Sequence, residues 1–262
     1  MPPEQWISFL TDYGHDDVYV GVCHAVMLKA APDAKIIDVC HTVPPGSVKA
    51  GARLLAKAVP YLPDGVILAV VDPGVGTDRR PIGVLAGESV LVGPDNGLLL
   101  PAAEALGGVR EVYELKSHRP PESATFHGRD VFAPAAAELA LGRDPALLGP
   151  TIDPDSLVRL PKPRVTVTPE AITGEVALVD SFGNLQTTVV GDASAMPVGA
   201  RVMLMFGRRR RVAYVGRTFS DVAPGKLVLY VDSSGYLAVA ANGANAAQKL
   251  GVGPGTEITI RR

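Results

Sequence analysis

Six consecutive apolar residues, 66–71 (VILAVV), run straight into Asp72-Pro73-Gly74. A continuous β-branched run of that length suits a parallel strand covered on both faces. Pro73-Gly74 forbids the strand from continuing, so Asp72 stands where the chain leaves a sheet. In open α/β sheets, ligands gather outside the carboxyl ends of the strands. Asp72 is then either the cap of a turn or a carboxylate that faces a ligand.

The same alternation extends over the first half of the chain. Strand-like runs occupy 6–10, 35–39, 66–71 and 111–115, and a hairpin joins 82–86 to 90–92 about Gly87-Glu88-Ser89. Helical stretches lie between them. One starts near Asp16-Asp17 and ends at Ala30; a second is capped by Ser47 and carries Val48, Ala52, Leu55 and Val59 on one face; others cover 98–106 and 131–141. This pattern predicts an α/β domain with a mostly parallel central sheet. Near Gly149 the texture changes, and "GPTIDPDSLVRLPKP" reads as a linker. Short β-rich runs follow at 165–168, 175–179, 185–189, 202–206, 211–215, 227–231, 237–240 and 257–260, as in an antiparallel β-barrel. Two domains are expected, residues 1–160 and 161–262.

A net charge of −2 over 262 residues gives no electrostatic footprint for nucleic acid. The run Arg208-Arg209-Arg210-Arg211, between two apolar segments, reads as a solvated face. The two cysteines, Cys23 and Cys40, form no CxxC pair and no disulfide framework. No basic leader followed by an apolar stretch opens the chain, and no apolar run approaches a membrane span. These features lead to the expectation of a cytoplasmic enzyme or binding protein.

Polar residues cluster where the first-domain strands end: Asp12, His15, Asp16 and Asp17; Asp38 and His41; Asp72 and Arg79; Asp95-Asn96; and His127 and Arg129 in "TFHGRD". Gly74-Val75-Gly76-Thr77-Asp78-Arg79 ends in arginine and fails the dinucleotide fingerprint, and no Gly-Lys-Ser/Thr completes a phosphate loop. Asp12, Asp16, Asp72, Asp95 and His127 could converge on a cation, but no His-x-x-x-His, Glu-x-x-His or CxxC spacing supports a metal. The remaining reading is metal-free activation of water by a carboxylate, a guanidinium and an imidazole on neighbouring loops.

The segments "FLTDYGHDDVYVG", "DVCHTVPPG", "VVDPGVGTDRRP", "GPDNGLL", "TFHGRDVFAPAAAELA", "VDSFGNLQTT" and "DSSGYLAVAANGANAA" follow one another in this order. Together they resemble the S-adenosyl-L-methionine (SAM) hydrolases that form adenosine, also called SAM hydroxide adenosyltransferases, relatives of the fluorinase and chlorinase. The likeness spans nearly the whole chain. It implies a homotrimer with SAM held between neighbouring subunits, no cofactor and no metal. It also implies that Asp72, Arg79 and His127 activate water for attack on the ribose C5′, releasing methionine and adenosine. By the same resemblance Asp12 grips the ribose hydroxyls and Asp16 lies on the methionine-amine side. Asp180 and Ser233 hold the amino-acid portion, Phe182 packs on the adenine beside Asn184, and Asn242 and Gly243 read the adenine edge.

The halogenating relatives differ. They have a non-acidic residue where Asp72 stands, a loop insertion after that motif, and an arginine in place of Ser234. A carboxylate would repel a halide while orienting water, so hydrolysis is the expected reaction. A SAM-dependent 5′-halogenase and a non-catalytic SAM-binding or adenosine-binding protein are the alternatives. A metal-dependent phosphohydrolase is a further one.

Overall fold

The computed structural model describes residues 5–116, 121–191 and 196–262. Residues 1–4, part of the stretch that lacks a leader pattern, lie outside the described residues. The chain forms two compact units, Met1–Leu160 and Pro161–Arg262.

The first unit is built on a six-stranded sheet: β1 (Trp6–Thr11), β2 (Lys35–Cys40), β3 (Val66–Val70), β4 (Pro81–Ala86), β5 (Ser89–Pro94) and β6 (Glu111–Glu114). Their order is β2-β1-β3-β5-β4-β6. The pairs β1–β2, β1–β3 and β3–β5 are parallel, whereas β4 runs antiparallel to both β5 and β6. Helix α1 (Tyr19–Ala30) and helix α4 (Ala133–Ala140) share a core with one sheet face, through Cys23, Met27, Phe132, Ala136, Phe9, Leu68 and Val70. Leu10, Ile67 and Ala69, the alternate residues, are equally buried and face the other way. Helix α2 (Val48–Ala58) packs on α3 (Leu100–Ala105), and Leu99 at the head of α3 closes on Gly93 of β5. Burying each of these large apolar side chains contributes about 2 kcal/mol.

Several expected boundaries move for local reasons. The first helix begins at Tyr19 rather than at Asp16-Asp17, because the Asp17 carboxylate takes the Val18 N–H and holds that segment in a turn. Ser47 occupies the N-cap of α2, but its side chain makes no cap hydrogen bond. Ser89 belongs to β5, not to the hairpin turn. The last helix is entered through a π turn, Gly128–Phe132. The segment 149–163 is not a free linker over its first part. Residues up to Leu160 belong to the first unit, with Leu157 buried and Thr151 bridged to Tyr113. Asp95 secures this strap. Its Oδ1 accepts from Val158 N at 2.9 Å, and its Oδ2 accepts from Arg80 Nε and Nη2 at 3.0 and 2.5 Å. Arg80 in turn donates to Ser156 Oγ and O.

The second unit is a closed barrel. Strands β7 (Thr166–Val167), β8 (Ala171–Val179), β9 (Leu185–Val190), β10 (Arg201–Phe206), β11 (Arg209–Val215), β12 (Leu227–Val231), β13 (Tyr236–Ala241) and β14 (Glu257–Arg261) follow in chain order, with α5 (Ala246–Leu250) before the last. The ring runs β14-β10-β11-β12-β13-β9-β8 and closes by β14–β8; β7 is appended to β8. The pairs are antiparallel except β11–β12, which is parallel. The inner face of β8 is read from period 2: Ile172, Val176 and Leu178 are buried. Helix α5 carried no sequence expectation; five residues are too few for a helical period to register. The arginine run is exposed, as expected, and Arg209 donates to the Leu250 and Gly251 carbonyls that end α5. Among the described residues no helix is long and apolar enough to cross a membrane.

Candidate active site

Sheet register brings the first two carboxylates together. Strand β1 has β2 on one side and β3 on the other, so the strand order reverses at β1, where an open α/β sheet forms its crevice. Thr11 pairs with Val70; Asp12 is the next residue on one strand, and Asp72 follows two residues after Val70 on the other. Both therefore leave the same end of the sheet side by side. They line a cavity of ≈ 130 Å³ together with Tyr13, Gly46, Thr125 and His127.

The loop after β3 folds back on itself. Val75 N donates to Asp72 O, and Thr77 N and Oγ1 both donate to Gly74 O. Gly76 has φ +78°, and a Cβ there would meet Ala124 O at 2.7 Å, so this loop lies tight against the segment that leads to His127. The reversal returns Arg79 to Asp72. Arg79 Nε donates to Asp72 Oδ1 and Oδ2 at 3.0 and 2.9 Å, and Nη2 donates to Oδ2 at 2.6 Å. The pair is largely buried, with side-chain exposures of 9% and 6%. Arg79 also sits over the Phe132 ring, 5.0 Å from its centroid. The Asp72 carboxylate is thus engaged by Arg79 rather than spent on capping its own turn. Asn96 props the strand end by donating to Val71 O at 2.9 Å.

His127 completes the group. Its Nδ1 lies 2.8 Å from Arg79 Nη2. Burial first, and the Arg79 charge second, hold the imidazole below its usual range. It stands just before the π turn, a feature that recurs at functional sites. Asp12 is tied from the other side, its Oδ2 accepting from Gly46 N at 2.8 Å. Tyr13 and Gly128 also line the cavity, although spacing gave no reason to single them out. Burial pushes the Tyr13 phenol well above its usual range, keeping it neutral. A Cβ on Gly128 would overlap the Tyr13 hydroxyl, which is why glycine follows His127.

Other candidates stand apart from this cavity. Asp16 is exposed and is not among the lining residues. Asp95 is committed to Arg80 and the strap.

In the second unit, Asp180, Phe182 and Asn184 share the β8–β9 turn. Asp180 Oδ1 accepts from Phe182 N and Asn184 N at 3.0 and 2.8 Å, and Oδ2 accepts from Asn184 Nδ2 at 2.9 Å. This leaves Phe182 78% exposed on the turn and Asn184 buried beneath it. Because β13 is antiparallel to β9 and pairs Val239 with Leu185, Asn242 and Gly243, just beyond β13, come to that same end. Asn242 Nδ2 donates to Val222 O, which leaves its side-chain oxygen available. Ser233, an exposed turn residue, precedes β13 and so lies at the strand's other end. Tyr230 spans the interval. Burial, then the Asp180 and Asp232 carboxylates, push its phenol up to about 12.

The chain matches the model of the SAM hydroxide adenosyltransferase N-terminal domain over residues 7–149 and that of the C-terminal domain over residues 174–259. An (R)-S-adenosyl-L-methionine hydrolase of Salinispora tropica is 52% identical, covering 99% of each chain. A protein of the same name from Thermus thermophilus is 44% identical over 97% of this chain and 98% of its own. Among solved structures, an uncharacterized conserved protein of Thermotoga maritima superposes with a TM-score of 0.91 at 38% identity, covering 98% of this chain and 100% of that one.

Proposed function

The chain belongs to the SAM hydroxide adenosyltransferase family, and on that premise we propose that it hydrolyses S-adenosyl-L-methionine to adenosine and L-methionine. The observation that carries the chemistry is that Asp72 and His127, bridged by Arg79, line one cavity together with Asp12.

Water attacks ribose C5′ in line with the sulfonium; the new C–O bond forms as the C–S bond breaks, and the thioether leaves as methionine. One proton is released overall. A carboxylate offers about four acceptor positions, and Arg79 occupies three of those on Asp72, leaving one for the water. Arg79 can only donate, so His127 Nδ1 accepts from it and the neutral ring carries its proton on Nε2. Asp72 as acceptor and His127 as donor then fix the orientation of the nucleophile. The sulfonium is already a good leaving group, so positioning and partial desolvation supply the acceleration. Asp12 retains an oxygen not taken by Gly46 and suits a vicinal diol.

The remaining assignments follow the family pattern: Asp16, Asp180 and Ser233 toward the amino-acid portion, Phe182 stacked on adenine with Asn184 beside it, and Asn242 and Gly243 along the adenine edge. By the same family pattern the protein is proposed to be a cytoplasmic homotrimer in which neighbouring copies complete each site, with no cofactor required. A carboxylate at the reacting wall disfavours halide as nucleophile.

The test is mass spectrometry of SAM turnover in oxygen-18 water. Label in the adenosine 5′-hydroxyl and none in methionine, with both products lost in Asp72→Ala and His127→Ala, is the expected result. SAM bound but recovered intact would replace hydrolysis with a binding role.

A further inference from the structure

Outside the cavity, three metal-ligating side chains from two elements converge. His24 projects from α1, and Asp38 and His41 stand at the end of β2; one nitrogen or oxygen of each lies within 4.8 Å of the others. Both imidazoles aim Nε2 at the same atom, Asp38 Oδ1, each at 2.8 Å. We propose that His24, Asp38 and His41 form a binding site for a divalent transition metal of the zinc or cobalt class, separate from the reacting cavity.

The donor set suits such an ion. Two imidazoles and one carboxylate favour borderline metals over magnesium or calcium, which prefer all-oxygen shells. Ligand bonds near 2.0–2.1 Å place tetrahedral donors roughly 3.3 Å apart, so these atoms need only small side-chain shifts to surround an ion. The ring beyond the ligand is held as metal-binding histidines usually are. His41 Nδ1 is 2.8 Å from Thr11 Oγ1, a hydroxyl able to donate to it or accept from it. With a proton on Nε2, His41 donates to Asp38 and accepts from Thr11. With a metal on Nε2, the single ring proton relocates to Nδ1 by exchange with solvent, and the Thr11 hydroxyl rotates to accept it. Phe9, fully buried, walls the site, its ring centroid 4.8 Å from His41 and 5.9 Å from His24. Access remains on the Asp38 side: side-chain exposure is 46% for Asp38, 27% for His24 and zero for His41. Solvent fills the fourth position. Thr11 precedes Asp12, so the ion would brace the strand end from which the cavity is built.

The test uses the full chain without an affinity tag, stripped with chelator and titrated with Co²⁺ alone while its visible ligand-field absorption is followed. One Co²⁺ per chain, displaced by Zn²⁺, is expected. Asp38→Asn and His24→Phe, the latter keeping an aromatic ring against Phe9, abolish the absorption. Thr11→Val weakens affinity about tenfold to a hundredfold, as loss of an outer hydrogen bond to a ligand does; a hydrogen-bonded cluster without metal would show no such dependence. Cys40→Ser binds normally. Circular dichroism of each variant confirms folding. Absence of stoichiometric Co²⁺ binding in the parent chain, or undiminished binding in folded Asp38→Asn, overturns the proposal.

Discussion

Arg79 Nη2 lies 2.8 Å from His127 Nδ1, and since a guanidinium has no lone pair to offer, the imidazole must be the acceptor. The neutral ring then bears its proton on Nε2. Its pKa is lowered by burial first and by the Arg79 charge second, so protonation sets in only below the ordinary histidine range. We expect kcat to be level through neutral pH and to fall as acid protonates His127, because the imidazolium loses the bond from Arg79 and repels it. Stability moves the same way. The unfolded chain holds more protons at this residue between the two pKa values, so the contribution is complete above the unfolded value near 6.5 and is lost as pH falls through the lowered one. Nitrogen-15 NMR of labelled histidine should give a neutral Nε2–H tautomer at pH 7. An Nδ1–H tautomer would contradict the arrangement.

Asp72→Asn removes the counter-charge from an arginine only 9% exposed. Breaking a buried pair on one side costs about 3–5 kcal/mol, so the variant should unfold at distinctly lower urea. The amide also loses the acceptor that orients water, and kcat should drop about 100-fold or more. Arg79→Lys keeps the charge but not the fork that reaches Asp72 and His127 together; it should retain more stability than Asp72→Asn while losing comparable activity. Denaturation and turnover measured on both variants separate the two effects.

These residues were legible to very different degrees. The run 66–71 announced its strand, and the proline-glycine stop announced that Asp72 would leave it. Spacing could not bring Asp72, Arg79 and His127 together, because His127 lies 48 positions from Arg79 and arrives through a loop. That grouping came from the family resemblance. Tyr13 escaped notice because an aromatic beside a strand is ordinarily core; its role shows only in the absent Cβ of Gly128. The strap up to Leu160 looked like a linker because prolines disrupt every period, whereas it is held by contacts distant in sequence, the Asp95 carboxylate on Val158 N and the Thr151–Tyr113 bridge among them. The pairing of His24 with Asp38 and His41 joins a helix to a strand end, a contact that no spacing rule reads.

Gly128→Ala should be costly for a small change. The new methyl would overlap the Tyr13 hydroxyl, and Tyr13 is packed against Phe126 at 5.9 Å between ring centroids, with little freedom to retreat. Overpacking of this kind typically costs about 1–3 kcal/mol. Because Tyr13 and Gly128 both line the cavity, turnover should fall as well. The double variant Gly128→Ala, Tyr13→Phe removes the overlapping oxygen and should recover part of the stability. Thermal unfolding of the single and double variants tests this; an unaltered single variant would refute it.

Asp95→Ala tests the strap independently of chemistry. The carboxylate, 4% exposed, pairs with Arg80 and caps the Val158 N–H, and its loss leaves that N–H without a partner and Arg80 without its counter-charge, bonded only to Ser156, a penalty of about 3 kcal/mol. Protease should then cut near residues 153–160 well before the sheet opens. Turnover per folded molecule should hold, since Asp95 is not among the cavity-lining residues.

Phe182→Ala gives the sharpest separation of binding from folding. A phenylalanine 78% exposed at a turn contributes little to the barrel. The turn itself is held by Asp180, which accepts the N–H groups of residues 182 and 184 through the backbone, and alanine preserves both. Stability should therefore change by less than about 0.5 kcal/mol. If the ring stacks on adenine, its removal forfeits about 1–3 kcal/mol of base stacking, which appears as a rise in KM of roughly tenfold or more, with kcat much less affected. Binding measured by calorimetry with SAM and with adenosine should weaken in parallel, because both carry the base. Equal affinity for adenosine in the parent and the variant would remove Phe182 from the adenine site and leave its exposure to be explained by contact with another copy of the chain.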